Sequence, residues 1–288
     1  MKYALILEYT GQYSIKLMCR VLGVQRSGFY SWRNKPKSQS EERREKMESL
    51  VKDTYEEFEA AYGAPRITQE LNALGHKCSL NYIANIMNKR GIVARNGKGF
   101  NYGGHALTMN NVADNLLWRD FSADRPNQKW VTDITYIWVE KQWLYLATVM
   151  DLYSRKIVGW SLDKNMTDAL ITNAMKMALD NREAAPGLIV HSDRGSQYRS
   201  NDYVGFLEKH DVQRSMSKKG NCWDNAAMES FYSRLKVELI YAKNYQSIEE
   251  ARSGIFAYIE VFYNRKRRHS ANDGLSPVEF EETAAMAA

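Results

Sequence analysis

Residues Leu188 to Tyr198, LIVHSDRGSQY, constrain the fold more than any other stretch of the chain. The Leu, Ile and Val run is long enough for a buried strand, and the polar residues and glycine after it read as the loop where that strand leaves a sheet. Asp193 falls just past the strand end. In a sheet covered on both faces this is where ligands collect, because rigid backbone holds the side chain while solvent reaches it. Two further carboxylates have suitable settings. Asp133 lies in WVTDITYIWV, an aromatic and β-branched strand in which Val131, Asp133 and Thr135 alternate with Thr132 and Ile134. Glu229 lies in DNAAMESFYSRLKVEL, where Ala226, Glu229, Ser233 and Lys236 follow at helical steps of three and four. A carboxylate inside a strand suited to burial is costly unless something neutralises it, and a divalent cation is the simplest candidate.

Four blocks follow one another in order: WVTDIT, HSDRGSQY, DNAAMESFYSRLKVE and YNRKRRHS. Together they resemble the catalytic region of the IS3-family insertion-sequence transposases, a branch of the retroviral-integrase-like DDE recombinases. Asp133, Asp193 and Glu229 match the family's three acidic positions, with 35 residues between the second and third as that family expects. The resemblance covers roughly residues 124 to 280, and the preceding region resembles the N-terminal part of the same second-frame product. Tyr263, Asn264, Arg267, His269 and Ser270 match the family's YN, arginine and HS positions. Asn272 and Asp273 depart from it, standing where many members have leucine and glycine.

The resemblance implies a ribonuclease H-like fold and a DDE-type polynucleotidyl transferase that cleaves and transfers strands at insertion-sequence ends. It also implies Asp133, Asp193 and Glu229 as metal ligands, double-stranded DNA at transposon ends and target as partner, and a homo-oligomer on DNA. The complete enzyme is then a fusion with the upstream-frame helix-turn-helix product. A noncatalytic DNA-binding regulator derived from such an enzyme is the alternative, and a ribonuclease H-like nuclease without strand transfer is a third possibility.

Charge separates the two halves of the chain. The net charge is +6, yet residues 1 to 120 carry 18 basic and 12 acidic residues while 121 to 288 carry 22 of each. The excess points to a polyanion partner on the N-terminal side. Cys19, Cys78 and Cys222 are isolated and odd in number, which argues against a disulfide framework and for a reducing compartment. No stretch reaches 18 apolar residues and the start lacks a signal-peptide pattern, so a cytoplasmic, nucleoid-associated protein is expected, with no membrane partner.

Residues 1–40 read as a helix-turn-helix-like segment. Ile15, Met18, Cys19 and Leu22 form an apolar stripe, Gly23 closes a turn, and Phe29, Tyr30 and Trp32 supply a second apolar group. Arg26, flanked by Gln25 and Ser27, opens the second helix where groove contacts are made. Residues 41–94 read as a second such domain. Glu41 to Ala60 is a charged helix with Met47, Leu50, Val51 and Tyr55 inward. Pro65 starts the next, with Ile67, Leu71 and Leu74 inward and Gly75 ending it; Ser79 caps a third that carries Tyr82, Ile83, Ile86 and Met87. Asn81, Asn85, Lys89 and Arg90 on its exposed side are candidate DNA contacts, although Lys89 and Arg90 also suit a helix C-terminus for its dipole alone. Residues 95–125, glycine-rich at the front, read as a flexible linker with a short helix near Asn115 to Trp118.

Residues 126–280 read as the catalytic domain and 281–288 as a frayed C-terminus. Lys129 to Val139, Trp143 to Leu152 and Lys156 to Leu162 are expected strands, joined at VEKQ and YSRK. A helix from Thr167 to Asp180, the Asp193 strand, a helix from Ser200 to Lys209 and a strand from Val212 to Arg214 follow. Three antiparallel strands and then alternating helices and parallel strands describe an α/β mixed five-stranded sheet with flanking helices, preceded by helical modules. A last amphipathic helix runs from 247 to 264.

The chemistry such carboxylates suit is phosphodiester cleavage, in which two ions neutralise the phosphate and stabilise the leaving oxygen. Carboxylates without histidine or cysteine company suit Mg2+, or Mn2+, rather than zinc. Asp151 also ends a strand and is the rival metal position. His191, Ser192 and Gln197 either orient a phosphate or serve the strand end. Lys218 and Lys219 in the loop before Glu229, Lys236 two turns beyond it, and Arg267 and His269 are the remaining candidate DNA contacts, with Lys236 equally readable as a solvated lysine.

Overall fold

The alternation in WVTDITYIWV organises the molecule. In the computed structural model, which describes residues 2–34, 36, 38–95, 111–118, 120–184, 186–217 and 225–287, that segment is the central strand β1, Lys129–Val139. It pairs antiparallel with β2, Gln142–Asp151, through a two-residue turn in which Glu140 and Lys141 both have positive φ. That geometry matches the twist of the hairpin. β3, Ile157–Asp163, extends the sheet antiparallel beyond β2. On the other side β1 pairs in parallel with β4, Ile189–Ser192, which pairs in parallel with β5, Gln213–Met216. The order β3-β2-β1-β4-β5 is the mixed five-stranded ribonuclease H-like sheet that the alternating pattern describes.

Each face of the sheet has its own core. Trp130, Ala147, Val149 and Val158 pack under α7, Asp168–Asn181, and α8, Asn201–Lys209. Gly159 lets α7 lie directly on β3, since a Cβ there would run into the Ala174 carbonyl and Ala178. Val131, Ile137, Leu146 and Met150 face the opposite way, toward α9, Ala226–Glu238, and α10, Ile248–Phe256. The helix expected over 247 to 264 does not stay α throughout. Its second half, Ala257–Tyr263, winds more widely, and Asn264 N–H donates to the Ile259 carbonyl five residues back at 3.0 Å. Asn264 then turns its amide to β3, accepting from Ile157 N–H and donating to Ile157 C=O, both at 2.9 Å. One side chain thereby satisfies backbone on the sheet's edge strand.

The N-terminal region is all helical. α1 (Lys2–Glu8), α2 (Ile15–Val21) and α3 (Arg26–Arg33) close around Ile6, Cys19 and Phe29. α1 is an addition to the expected pair. Tyr30 and Trp32 remain substantially exposed. α4 (Gln39–Glu57) begins with a reciprocal cap between Ser38 and Glu41, and packs with α5 (Ala64–Ala73) and α6 (Leu80–Arg90) around Val51, Tyr62, Ile67, Leu71 and Ile83. Leu74 does not join them: it stands past the end of α5 and is exposed.

Three expectations are corrected here. Residues 111–118 form no helix; Asn115 Oδ1 accepts from Leu117 and Trp118 N–H in a side-chain-capped turn, and Met216 N–H reaches back to the Asp114 carbonyl. This part of the linker lies along β5, while residues 96–110 are outside the described residues. The C-terminus is not frayed from 281 onward. Helix α11 spans Pro277–Ala287, and Glu281 is held by Arg182 at 2.7 Å, Lys156 at 3.4 Å and Ser154 at 2.6 Å. Finally, α4 to α6 are docked on the catalytic domain: Phe58 and Tyr62 stack at 4.0 Å beside Phe262, and Arg268 meets Glu70 at 2.6 Å.

Candidate active site

Asp133 and Asp193 are brought together by strand register. Val131 on β1 pairs with His191 on β4; Asp133 lies two residues further along β1, and Asp193 lies two residues past His191, just beyond the end of β4. Along β1 a step of two restores the same face, so Asp133 emerges on the side covered by α9, and Asp193, in the loop that leaves β4, lies within electrostatic reach of it. Asp193 is open to solvent and its Oδ1 accepts from Gly195 N–H at 2.8 Å. A Cβ on Gly195 would come within 2.9 Å of that oxygen, so the glycine is what permits the tight loop. Asp133 is half-buried and its Oδ1 accepts from Ile134 N–H at 2.8 Å.

Glu229 sits exposed on the first turn of α9, after a segment, 218–224, outside the described residues. Its charge reaches Asp133. Burial, then the Asp193 carboxylate, then Glu229, push the Asp133 carboxyl up to about 8, while Ile134 N–H and the Lys236 ammonium act the other way. Asp193 keeps an exposed side, yet the protein packed around its carboxyl partly desolvates it and raises it, against the pull of Gly195 N–H and Arg199. Tyr198, buried beneath the pair, is raised by burial and by the charges of Asp133 and Asp193. The site is therefore short of positive charge. Among the described residues no three Asp, Glu, His or Cys side chains already form a closed ion cage, so Asp133 is in electrostatic reach of both partners without a preformed three-ligand cluster. The donor set, hard carboxylate oxygens that oppose one another's ionisation, fits a divalent cation such as Mg2+.

The other candidates fall into two groups. His191 is buried, with Nδ1 2.8 Å from Ser215 Oγ and Nε2 3.1 Å from Ser217 Oγ, so it clamps β4 to β5 and does not face a substrate. Ser192 is buried and Gln197 donates to the Met166 carbonyl at 3.1 Å, fixing the loop to the start of α7. Asp151 accepts from Asn127 and Tyr153 N–H at 2.8 and 3.0 Å and closes a turn, three β-ladder positions from the residue facing Asp133.

Arg267 and His269 are corrections to the expected DNA contacts. Arg267 is 3% exposed and spends its guanidinium on Glu238; His269 lies beside it, its ring held down to about 3 by burial and then by the charges of Arg267, Arg66 and Arg155. An arginine this buried and paired with Glu238 is not presented to a phosphate on the surface. Arg26, Asn81, Asn85 and Lys89 are exposed as expected, whereas Arg90 is engaged with Glu48 of α4. Lys218 and Lys219 lie outside the described residues. Lys236 is half-buried, its charge acting on Asp133. Two more residues serve the site: Tyr232, which the sequence pattern did not single out, and Asn225, which with Asp224 reads in the sequence as the cap of the Glu229 helix. Tyr232 of α9 donates to the Asp133 carbonyl, and Asn225 at the helix start donates to the Thr132 carbonyl at 3.4 Å instead of capping α9. Only the position of Tyr232, three residues after Glu229, carried a trace of this.

Comparison with known proteins agrees with the geometry. Integrase core domain families match residues 123–222 and 229–284, and an HTH-like domain matches 41–99. The transposase InsF for insertion sequence IS3A of Escherichia coli (strain K12) is 44% identical over 286 residues, covering 98% of each chain. An insertion element IS600 uncharacterized 31 kDa protein of Shigella sonnei is 39% identical over 269 residues, covering 92% of this chain and 97% of that one. Among solved structures, the HTLV-2 integrase catalytic core domain in complex with magnesium matches at 15% identity with a TM-score of 0.43, covering 55% of this chain and 98% of that one. The sheet and the matched domains define an integrase-core protein of the DDE polynucleotidyl-transferase type, with a helix-turn-helix-like domain ahead of its catalytic domain. More narrowly, the chain belongs to the IS3-family DNA transposases.

Proposed function

We propose that the chain binds the ends of its own insertion sequence and performs metal-dependent strand cleavage and transfer there, with Asp133, Asp193 and Glu229 as the acidic ligands. The observation that supports this is the pairing of β1 with β4: it sets Asp133 on β1 beside the loop that carries Asp193 past the end of β4, on the side of the sheet where α9 bears Glu229. A pair of Mg2+ or Mn2+ ions, when bound, supplies neutralisation of the phosphate and stabilisation of the leaving oxygen. The chain's own part is to bring three carboxylates within electrostatic reach of one another, so that their ionisation is favoured when a cation is bound. Asp133 lies between its two partners electrostatically and suits the shared position; Asp193 and Glu229 flank it. Lys236, two turns beyond Glu229 on α9, already acts on Asp133 through its charge and is the lysine we assign to a DNA phosphate beside the site.

Recognition of the ends is assigned to the helical modules, 1–40 through Arg26 and 41–94 through Asn81, Asn85 and Lys89, with 126–280 as catalyst. Their exposure and the basic excess of residues 1 to 120 support that division. Arg90 contributes after release from Glu48, and Lys218 and Lys219 are assigned as further DNA contacts from their place in the sequence before Glu229. A homo-oligomer pairs the two ends, the active form includes the upstream-frame helix-turn-helix product, and the protein works on the nucleoid in the cytoplasm. Among the described residues no helix is long and apolar enough to cross a membrane.

The test supplies a duplex carrying the terminal inverted repeat to the chain alone and to its upstream-frame fusion, with Mg2+ or with EDTA. Joined strands in Mg2+ only, with band shifts in both, are expected. End binding with no joined product from either protein would make this chain a noncatalytic regulator.

A further inference from the structure

We infer that Tyr232 is a positioning residue for the acidic site, its hydroxyl fixing the helix of Glu229 at a set distance from the strand of Asp133. This rests on the assignment of Asp133, Asp193 and Glu229 as one site. Tyr232 follows Glu229 by three residues, about 60° around α9, which sets it next to Glu229 on the flank that meets the sheet, where it is 5% exposed. Its hydroxyl has a single proton, and that proton goes to the main-chain carbonyl of Asp133. Thr148 Oγ1, 2.8 Å away, is then the donor to Tyr232, and Thr148 is the residue that faces Asp133 across the β1–β2 ladder. The hydroxyl thus sits over the rung that bears the central carboxylate. Asn225 makes a second tie to the neighbouring Thr132 carbonyl, so α9 is hitched to two consecutive peptide groups of β1.

Such hitches matter because the helix carries a like charge toward Asp133. A site built from carboxylates on two separate elements tolerates displacements of only about 0.5 Å. The bond runs to main chain, not to the Asp133 carboxylate. It therefore constrains where Glu229 stands without occupying a ligand oxygen.

The experiment compares wild type, Tyr232→Phe, Thr148→Val and Glu229→Gln. Mn2+ affinity of the free protein is measured by calorimetry, joined-strand yield across Mn2+ concentrations, and melting temperature and end binding alongside. Tyr232→Phe keeps the ring in its packing and removes the tie; it is expected to weaken Mn2+ binding about fivefold, the net worth of one hydrogen bond, with joining recovered at higher Mn2+. Thr148→Val removes a bond to the same hydroxyl but leaves the Asp133 tie, so it is expected to lower the melting temperature with Mn2+ affinity within about twofold of wild type. Wild-type Mn2+ affinity in Tyr232→Phe, or an equal loss in Thr148→Val, overturns the positioning role while a defective Glu229→Gln leaves the acidic site standing. Wild-type affinity and joining in Glu229→Gln overturns the site assignment, and the positioning role falls with it.

Discussion

Arg267 and Glu238 hold each other through two hydrogen bonds, Nε to Oε2 at 2.9 Å and Nη2 to Oε1 at 2.8 Å, with 3% of either side chain exposed. Arg66 from α5 approaches the same carboxylate at 3.5 Å and Tyr258 donates to it at 2.7 Å. Glu238 is the last residue of α9, so the helix bearing Glu229 at one end is fastened at the other to the helix-turn-helix-like domain. Burial alone would raise the Glu238 carboxyl; the Arg267 hydrogen bonds and charge, with Tyr258 and Arg66, outweigh it and hold the group below its ordinary value.

Breaking that pair leaves a buried charge without its main partner. Arg267→Met is expected to cost about 3 to 5 kcal/mol in urea unfolding, and to leave the salt dependence of DNA binding unchanged where the variant is folded. A stable variant with a shallower salt slope would return Arg267 to the DNA.

His269 gives a pH signature. Its folded-state value, about 3, lies below the ordinary 6.5, so the unfolded chain binds the proton more readily in between. The stability that neutral His269 contributes is present above about pH 6.5 and is lost as pH falls toward 3. His269→Gln, neutral throughout, is expected to flatten unfolding free energy against pH in that window relative to wild type. Parallel curves for the two proteins would mean that the ring titrates normally in the fold.

Gly159 tests the packing of α7 on β3. Adding a methyl drives it into the Ala174 carbonyl and Ala178, both of them fixed by the helix. Gly159→Ala is expected to destabilise by about 1 to 3 kcal/mol or more, read as a lowered melting temperature, with little change in DNA binding below it.

Lys236 is expected to serve DNA as well as Asp133. Lys236→Ala should weaken end binding and lower the slope of log affinity against log salt by about one. A base-reading role would add relaxed preference at one terminal position, scored on true-end and scrambled duplexes. An unchanged slope would confine Lys236 to its electrostatic contact with Asp133.

How far the sequence discloses these features depends on whether their causes are local. β1 was legible because period-two alternation and unbroken β-branched and aromatic residues act within eleven positions, and Ser79 was legible as a cap for the same reason. Arg267 was not. RKRRHS reads as a solvated basic run, and the carboxylate that buries it lies 29 residues away, with Arg66 on another domain. The widened turn at Ala257–Tyr263 is invisible to an apolar period that α and wider windings share over so few residues. Tyr232 is hidden differently: its acceptor is a peptide carbonyl, which every residue has. The aspartates were legible as one strand-borne and one strand-end carboxylate, but that Val131 pairs with His191, and so sets β1 beside β4, is a matter of register between strands 60 residues apart.

The most direct test of the account is joined-strand yield in Mg2+ for Asp133→Asn, Asp193→Asn and Glu229→Gln, each assayed on complexes already formed with transposon-end DNA. Each change removes a ligand charge with little change in volume, so band-shift affinity and melting temperature are expected to stay near wild type while joining is lost in all three. Near-normal joining by any one of them would remove that residue from the site and contradict the claim that these three carboxylates form a single metal-dependent centre.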